Sequence, residues 1–484
     1  MKRVAVIGAG ISGLAAAFHL AASGQVQLTV YEGSGRAGGV LETIRDEGYL
    51  VERSADNFAT LIPDALQLSR ECGLADTLIP PAAENRQAFV LHRGRVVPIP
   101  AGFSLMQPTR LGSILTTPAL SWRGKLRLLG EYWIPPATGE ADESLEAFAV
   151  RRLGREAFEN LVEPIVSGIF TADPARLSMR ATMPQFFDME RRSGGLIRGY
   201  LASRRQDAAA AARRASGARY DQFLAPREGM SSWIAQLQSH LPAGCLRLAT
   251  PVEALRHVPS HQVATADATS AAAGPWRITA GGEQESFDAV ICATPAAVTA
   301  RLLESAAPDA AGLVAQIPYA SSVVVAMVVA RSEIARRTDG FGLIVPRKEG
   351  RASLAISYTS NKYPGRVPPD QLLLRIFFGG ALQPQLVDLP DSALEQLAHQ
   401  ELREILGWRG AAAKWQAVIR WPQAMPQYLV GHVERMQALQ QALAALPTLR
   451  LCGAGYAGVG IPQCVRGGRA AAQQILDDCQ CSKA

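Results

Sequence analysis

Three glycines near the start of the chain have the spacing of a turn that binds a dinucleotide: Gly8, Gly10 and Gly13. The first allows a tight turn, the second lets the backbone approach a pyrophosphate, and the third lets a helix pack closely against a strand. The phosphates would lie at the N-terminus of that helix, beside Ile11 and Ser12. A glycine-rich turn without a ligand has the same spacing, so the sequence around the motif decides between the two interpretations.

The residues on either side of this turn favour a bound dinucleotide. The apolar run from Val4 to Ile7 precedes the turn and is typical of a strand buried on both faces. A second predicted strand, 27–31, ends at Glu32, about 20 residues further on, where an acidic side chain would bind the ribose hydroxyls. NAD and FAD both fit this first element.

A second glycine-rich loop follows directly, from Gly33 to Gly39, and it contains one cation, Arg36. Its adjacent glycines, Gly38 and Gly39, would let the backbone approach a ligand, and the arginine would neutralise phosphate charge. A mobile surface loop is the alternative interpretation. The position of the loop, directly behind the acid that would bind ribose, favours a segment that wraps a flavin cofactor.

The end of the chain has the same order of strand, glycine turn and helix. Residues 449–451 are predicted to be the strand, and an alanine-rich helix follows the turn. Val459, Gly460 and Ile461 lie where the turn enters the helix, and a helix N-terminus there would direct its positive dipole at a flavin ring. The two ends of the chain together therefore predict FAD as the cofactor.

Composition and charge exclude several other classes of protein. A chain of 484 residues can bury a large core and is expected to hold two or three domains. The net charge of +6 is spread along the chain, which argues against a nucleic-acid partner. The seven cysteines have neither metal-ligand spacing nor a disulfide framework. We therefore expect no metal site, and we expect the protein to be in a reducing compartment.

The location expected from the sequence is the cytoplasm. The apolar strand that begins at residue 4 runs straight into the glycine turn, which is not the pattern of a signal peptide. No window reaches the roughly 18 apolar residues of a transmembrane helix. Membrane contact would therefore be peripheral, on the cytoplasmic face, and the mixture of apolar residues and arginines in 86–215 is where we expect it. An ordinary helical subdomain fits that region equally well.

Longer motifs in the middle and at the end of the chain resemble a single family. They are Asp142–Leu145, 151–156, Leu161–Phe170, Asp173–Ala181, 341–349 with 377–380, 420–432 and Tyr456–Pro462. In these motifs the chain resembles the flavin-dependent porphyrinogen oxidases of haem biosynthesis, within the wider monoamine-oxidase-like flavoproteins. Two stretches depart from the family pattern: Arg53–Asp56 replaces a turn that contains Gly-Pro, and the alanine- and arginine-rich stretch 204–219 has no clear counterpart.

The resemblance implies an α/β protein with a discontinuous Rossmann-like FAD-binding domain, an inserted mixed-sheet substrate domain and a helical membrane-associating domain. It also implies noncovalently bound FAD and often a homodimer. The boundaries predicted are 1–85, 216–300 and 431–484 for the three parts of the FAD-binding domain, 86–215 for the helical substrate and membrane-associating region, and 301–430 for the substrate-binding domain.

The resemblance also implies roles for individual residues. Arg86 is similar to the family position that pairs with a substrate propionate, although a solvated surface cation is nearly as good an interpretation. Val328, Ile344 and Tyr358 match approximately the apolar positions that sandwich a tetrapyrrole, but the core of a β-sheet would also bury such residues. Val252 would contact the adenine end of FAD through its backbone.

The reaction implied is the oxidation of a porphyrinogen to a porphyrin by an FAD-dependent oxidase, with dioxygen as acceptor and hydrogen peroxide as product. Since Arg86 is the one candidate cation, the expected substrate is protoporphyrinogen IX, which carries two propionates. Coproporphyrinogen III, which carries four, and a catalytically silent flavin-binding partner protein remain the alternatives. No catalytic side chain is predicted: His19 and His432 are interpreted as structural, and Cys464 as a small buried apolar residue.

Overall fold

The computed structural model describes residues 1–84, 86–139, 141–206, 222–258 and 274–481. Within these ranges the strands are β1 (Lys2–Ile7), β2 (Val26–Tyr31), β3 (Thr43–Asp46), β4 (Tyr49–Glu52), β5 (Phe58–Ala59), β6 (Leu78–Ile79), β7 (Ala88–His92), β8 (Arg95–Pro98), β9 (Phe103–Ser104), β10 (Gln107–Pro108), β11 (Phe223–Pro226), β12 (Leu246–Arg247), β13 (Val252–His257), β14 (Trp276–Ala280), β15 (Glu283–Phe287), β16 (Ala289–Cys292), β17 (Tyr319–Ala330), β18 (Gly342–Ile344), β19 (Ala355–Tyr358), β20 (Gln371–Gly379), β21 (Trp415–Pro426) and β22 (Leu449–Leu451).

The α-helices of the described residues are α1 (Ile11–Ser23), α2 (Asp64–Glu71), α3 (Leu111–Thr116), α4 (Trp122–Leu129), α5 (Leu145–Leu153), α6 (Arg155–Ala157), α7 (Glu163–Phe170), α8 (Met179–Thr182), α9 (Pro184–Ser193), α10 (Leu196–Gln206), α11 (Met230–Ser239), α12 (Ala296–Leu303), α13 (Pro308–Ala315), α14 (Thr359–Lys362), α15 (Asp391–Glu401), α16 (His432–Ala442) and α17 (Ile461–Cys481). Short 3-10 or π segments lie at Ala75–Thr77, Gly130–Trp133, Phe158–Val162, Arg331–Glu333, Arg347–Glu349, Pro384–Asp388 and Leu402–Leu406. Helix α10 extends into the alanine- and arginine-rich stretch 204–219 as far as Gln206, and the rest of that stretch lies outside the described residues.

Five parallel strands form the first sheet, in the order β12-β2-β1-β16-β22. Buried residues alternate along β1, so that Val4 and Val6 pack against α1, α2, α11 and α17, while Ala5 and Ile7 pack on the opposite face. That opposite face is covered by the antiparallel meander β13-β14-β15 and by α12, α13 and α16. Strands buried on both faces are expected to be almost continuously apolar. Because the strands come from the beginning, middle and end of the chain, the predicted discontinuous Rossmann-like domain is confirmed.

A second sheet of seven strands has the order β21-β17-β20-β19-β18-β7-β8. It is a mixed sheet, because β18 pairs with β7 in parallel and the other neighbours are antiparallel. Its outer face packs under α15, and its inner face packs in part on the β3-β4 hairpin of the first domain. The predicted mixed-sheet insertion is confirmed, and β7 and β8 contribute its edge.

Helices α3 to α10 surround a separate apolar core in the region between the two domains in sequence. A buried ion network holds this region together: Arg152 is paired with Glu131 and Glu190, and all three side chains are almost completely buried. Removing one partner of such a network would leave an uncompensated buried charge and would strongly destabilise this region. Among the described residues, no helix is both long enough and apolar enough to cross a membrane.

Candidate active site

The first glycine turn has the geometry that the sequence predicts. Gly8 has a φ of +100°, and its N–H donates to the carbonyl of Tyr31 at 2.7 Å. A Cβ added at Gly13 would lie 1.9 Å from the carbonyl oxygen of Gly8, so helix α1 can pack on the turn only because residue 13 has no side chain. Gly10 differs, since a Cβ there would meet no described atom within 4 Å.

The N-terminus of α1 is available to an anion. Its first residues, Ile11 and Ser12, are buried, and no side chain of the described residues caps the helix. The first amides of a helix have no partner within the helix, and together with the helix dipole they favour a phosphate group. The open space beside Gly10 lies at this helix end. These observations fit the pyrophosphate of a dinucleotide cofactor.

Glu32 joins the first turn to the second loop. One carboxylate oxygen accepts the N–H of Ala9 at 2.8 Å, and the other accepts the N–H and the hydroxyl of Ser34 at 2.9 and 2.8 Å. An ionised carboxylate has about four lone-pair sites, so capacity remains for ribose hydroxyl groups. The position of Glu32 at the end of β2 is the one that the sequence predicts for the acid.

The second loop lies directly against the first. Gly38 donates its N–H to the carbonyl of Ala9 at 2.8 Å, and a Cβ at Gly39 would lie 3.2 Å from the Cα of Gly10. Arg36 holds the loop closed, because its guanidinium donates to the carbonyl of Gly39 at 2.6 Å and pairs with Glu42 at 3.0 Å. The contact between this arginine and phosphate stays a prediction.

The segment before β13 lies against the same loop. The N–H groups of Ala249 and Thr250 donate to the carbonyls of Ser34 and Glu32, each at 2.8 Å. A Cβ at Gly33 would be 3.5 Å from Pro251, and Val252 begins the next strand. The structure therefore places Pro251, the residue before Val252, against Gly33 beside the acid. The contact of Val252 with the adenine end of FAD stays a prediction.

The C-terminal turn meets the first turn through a close helix crossing. A Cβ at Gly468 of α17 would lie 2.1 Å from the carbonyl oxygen of Ser12 in α1. Gly460 accepts the N–H of Cys464 at 3.0 Å, so α17 starts within the same neighbourhood, and Ile461 is its first residue. The N-terminus of α1 therefore packs against the second turn of α17. The contacts of Val459, Gly460 and Ile461 with a flavin ring stay a prediction.

Four half-buried apolar residues come from the C-terminal turn, the seven-stranded sheet and the helical region, and we call the surface they form the apolar slot: Val459, Ile344, Phe377 and Ile165. Val459 from the turn and Ile344 from β18 both pack against the apolar core of the helical region, as does Ile165 from α7. Phe377 continues this surface, because Ala355 pairs with it on one side and with Ile344 on the other. The slot thus has walls from all three parts of the molecule.

The other predicted substrate residues do not meet at this slot. Val328 is on the inner face but is fully buried in a cluster with Val51 of the β3-β4 hairpin. Tyr358 is on the outer face, in the cluster that packs under α15, and its hydroxyl has no partner among the described residues. Arg86 is half-buried just before β7, with its Nε 3.4 Å from the carbonyl of Ala82. Their contacts with a substrate stay predictions.

Sequence reasoning missed a buried ion cluster where the inner face meets the cofactor domain. Arg375 pairs with Asp56 at 2.8 Å, and Lys362 approaches the same carboxylate at 3.2 Å. Burial acts to raise the pKa of Asp56, but Lys362 and Arg375 outweigh it and lower the pKa to about 2. The signal was present in the sequence: one arginine in the otherwise apolar run 372–378 needs a partner if the strand is buried.

The two histidines and the cysteine that the sequence analysis considered do not have the environment of a general acid or base. His19 bonds Gln473 on the surface of α1, and burial lowers the pKa of His432, so its ring is neutral. Burial raises the pKa of Cys464 to about 11, which makes it an unreactive thiol. This arrangement leaves the redox chemistry to a bound cofactor, with the protein providing binding and orientation.

A discontinuous parallel sheet with two glycine loops, two helix N-termini and an adjacent apolar slot defines a flavin-dependent oxidoreductase. A family model described as flavin containing amine oxidoreductase matches residues 11–476. The chain therefore belongs to the flavin-containing amine oxidoreductases, and it is an FAD-dependent oxidase.

Individual relatives are similar over almost the whole chain. Coproporphyrinogen III oxidase of Bacillus subtilis (strain 168) is 31% identical over 490 residues, which cover 98% of each protein. The chloroplastic protoporphyrinogen oxidase of Nicotiana tabacum is 29% identical over 97% of this chain and 84% of its own length. The crystal structure of a protein from Exiguobacterium sp. 255-15, provisionally named a protoporphyrinogen oxidase, has a TM-score of 0.82, 28% identity and 99% coverage of both chains. The resemblance to the porphyrinogen oxidases and the expected FAD cofactor are confirmed.

Proposed function

We propose that the protein oxidises a porphyrinogen of haem biosynthesis to the corresponding porphyrin, with dioxygen as the electron acceptor. The observation that carries this proposal is the apolar slot formed by Ile344, Val459 and Phe377, beside the turn that would receive the flavin ring. A flat tetrapyrrole with an apolar centre fits such a slot better than a small amine does. Relatives named as porphyrinogen oxidases match 97–98% of the chain, which supports the same reaction.

The residues present would hold FAD in an extended form. The N-terminus of α1 and the space beside Gly10 would receive the pyrophosphate, Glu32 the ribose, and the turn at 453–460 the ring. Bound FAD supplies the redox chemistry, which removes two hydrogens from the substrate at a time and returns them to dioxygen as hydrogen peroxide. The protein's own part is to bind and orient the substrate, and proton acceptance is left to water or the cofactor.

Protoporphyrinogen IX is the substrate in this proposal. Arg375 and Lys362 share the carboxylate of Asp56, and Arg53 is paired with Glu42 at 3.2 Å, so each of these cations already has an anionic partner in the protein. The family resemblance gives Arg86 as the candidate partner for a propionate. A substrate with two carboxylates fits this balance better than one with four.

Coproporphyrinogen III is the second candidate, and sequence similarity favours it. Two relatives that are 31% and 32% identical over 98% of this chain are named coproporphyrinogen III oxidases. Purified enzyme loaded with FAD should be assayed with each porphyrinogen, following porphyrin fluorescence and hydrogen peroxide. We expect a higher kcat/KM for protoporphyrinogen IX. A higher value for coproporphyrinogen III would reverse the substrate assignment. If neither porphyrinogen is oxidised, the alternative of a catalytically silent flavin-binding protein is favoured.

Peripheral contact with the cytoplasmic face of a membrane is a further part of the proposal. Trp122, Leu126 and Trp133 expose 68%, 67% and 74% of their surface, and they lie on α4 and the segment that follows it. Arg123, next to Trp122, is an exposed cation of the same helix. Exposed aromatic residues with nearby cations are typical of surfaces that insert into an anionic lipid interface.

Sedimentation with vesicles tests this surface. The wild-type protein should bind vesicles that contain an anionic lipid, and the double variant Trp122→Ser, Trp133→Ser should bind at least about tenfold more weakly. The matched control is Leu61→Ser, another exposed apolar residue outside this helical region. Equal binding by both variants would exclude the surface. The homodimer that the family resemblance implies can be measured on the same samples by sedimentation equilibrium.

A further inference from the structure

The side chain of Tyr428 bonds the backbone of the turn at 454–458, which would receive the flavin ring. Its hydroxyl accepts the N–H of Gly458 at 2.8 Å and donates to the carbonyl of Ala454. Gly458 has a φ of +136°, a conformation that residues with a side chain rarely adopt. One buried side chain therefore bridges both ends of a five-residue turn, and it does so through backbone atoms.

His432 holds the middle of the same turn. Its ring stacks on Tyr428 with centroids 4.2 Å apart and an angle of 18° between the planes. Its Nε2 lies 3.1 Å from the carbonyl of Tyr456. A carbonyl oxygen can only accept, so Nε2 must carry the proton.

The charge of the His432 ring follows from its surroundings. Burial is the largest effect and lowers the pKa of the ring, and the positive charge of Arg435 lowers it further. The hydrogen bond to the carbonyl of Tyr456 and the charge of Asp142 act to raise it, but they do not offset the burial. The ring is therefore neutral, with Nδ1 unprotonated and without a partner among the described residues. The neutral Nε2–H form is the one form that satisfies the Tyr456 carbonyl without placing a charge in this buried environment.

The segment that carries both side chains also contacts the substrate side. Gln427 donates to the carbonyl of Phe170 at the end of α7 at 3.1 Å, and the carbonyl of Tyr428 accepts the N–H of Ser178 at 2.8 Å. Helix α7 is the wall that faces the inner sheet across the slot. A single segment thus sets the flavin turn relative to the substrate wall.

We propose that Tyr428 and His432 are positioning residues that hold the backbone of residues 454–458 in the shape that receives the flavin ring. The inference rests on the proposed function, which places the FAD ring at this turn. Both side chains are only 2% exposed, and each acts through the backbone groups it bonds. Without them the turn would have to be ordered when FAD binds, and part of the binding free energy would be lost.

The test uses the full-length protein and FAD itself. Tyr428→Phe removes the hydroxyl and keeps the ring, and His432→Phe keeps a flat ring against Tyr428 while removing the N–H donor. Tyr363→Phe is the matched control, since Tyr363 is fully buried and its hydroxyl bonds no group of the turn. For each protein, the dissociation constant of FAD from the apoprotein, the flavin reduction potential and the unfolding temperature of the apoprotein are measured.

Tyr428→Phe should raise the FAD dissociation constant about tenfold, because two buried backbone groups lose their partner, and His432→Phe should raise it less. Both should shift the reduction potential, and Tyr363→Phe should change neither. A lower unfolding temperature with unchanged FAD affinity and potential would mean that the residues only stabilise the fold, and it would overturn the inference. If Tyr428→Phe does not fold, His432→Phe decides alone. Wild-type protein that binds no FAD would contradict the proposed function instead.

Discussion

The cofactor end and the substrate side of this protein share one slot but are built from different parts of the chain. At the cofactor end the contacts are made by backbone: Gly13 approaches Gly8 too closely for a Cβ, and a Cβ at Gly39 would be only 3.2 Å from the Cα of Gly10. On the substrate side they are made by side chains that alternate between two faces of a sheet, so that Ile344 faces the slot region and Tyr358 the far side.

This difference should make the two regions respond differently to substitution. An atom added to a backbone contact cannot be accommodated by a change of rotamer, so the effect is close to all or none. A side-chain wall can repack, so its effects should be graded and should appear mainly in substrate binding. The predictions below test that contrast, beginning with the largest expected effect.

Gly13→Ala should abolish the folded, FAD-bound protein. Its Cβ would lie 1.9 Å from the carbonyl oxygen of Gly8 and 3.2 Å from the Cβ of Ala293. The expected loss exceeds about 4 kcal/mol of unfolding free energy, because neither backbone segment can move without breaking the sheet. Soluble yield and the ratio of flavin to protein absorbance measure the result.

Gly10→Ala is the control for this prediction. A Cβ there meets no described atom within 4 Å, so the variant should fold with normal stability while its FAD affinity falls at least about tenfold. A stable Gly13→Ala protein with full flavin content would break the contrast between the two regions.

Asp56→Ala should destabilise the protein by roughly 3–5 kcal/mol, because Arg375 and Lys362 would be left as unpaired buried cations. Urea denaturation measures the change. Since the pKa of Asp56 is lowered from 3.8 to about 2 in the folded protein, its contribution is complete above pH 3.8 and is lost as the pH falls toward 2.

Glu228→Ala is the matched control for that ion pair. Glu228 pairs with Arg45 at 2.6 Å, but both side chains are more than half exposed. The substitution should therefore cost less than about 1 kcal/mol. If Asp56→Ala and Glu228→Ala lowered the unfolding free energy equally, burial of the Asp56 cluster would not strengthen its ion pairs.

Phe377→Ala should raise KM for the porphyrinogen about tenfold with a smaller change in kcat, because it removes apolar contact that the substrate makes before and during the reaction. The FAD dissociation constant should not change. Phe377→Leu should restore most of the lost affinity, since it keeps an apolar wall. An unchanged KM in the alanine variant would remove Phe377 from the slot.

The smallest expected effect is a pH dependence of stability. Burial lowers the pKa of His432 below its ordinary value of 6.5, so the unfolded chain binds more protons than the folded protein just below that pH. Stability should therefore be constant above about pH 6.5 and fall as the pH decreases, by at most about 1.4 kcal/mol per pH unit for this residue.

The variant His432→Phe should flatten that decline. Part of the decline should persist, because burial also lowers the pKa of His92 and His257. Unfolding free energies measured between pH 5 and 8 would contradict the assignment if His432→Phe left the slope unchanged.

The cofactor end could be predicted residue by residue because its signals are local. Glycine spacing, an apolar strand and an acid at its end lie within one short stretch, and the structure places Gly8, Gly13 and Glu32 as expected. The residues of the substrate side were harder to predict. Strand alternation places Ile344 and Tyr358 on opposite faces of the sheet, but it does not show which face is turned toward the cofactor domain. That choice depends on how two sheets pack, which no local pattern carries.

The amino-acid sequence was therefore sufficient for the fold class, the FAD cofactor and the family, because backbone geometry imposes glycine and apolar residues at specific spacings. Tertiary structure was needed to show that Asp56 meets Arg375, that Tyr428 and His432 hold the flavin turn, and that Val328 and Tyr358 lie away from the slot. These contacts join segments that are distant in the chain, and burial in the folded core gives their charges and hydrogen bonds the strength that they would not have in water.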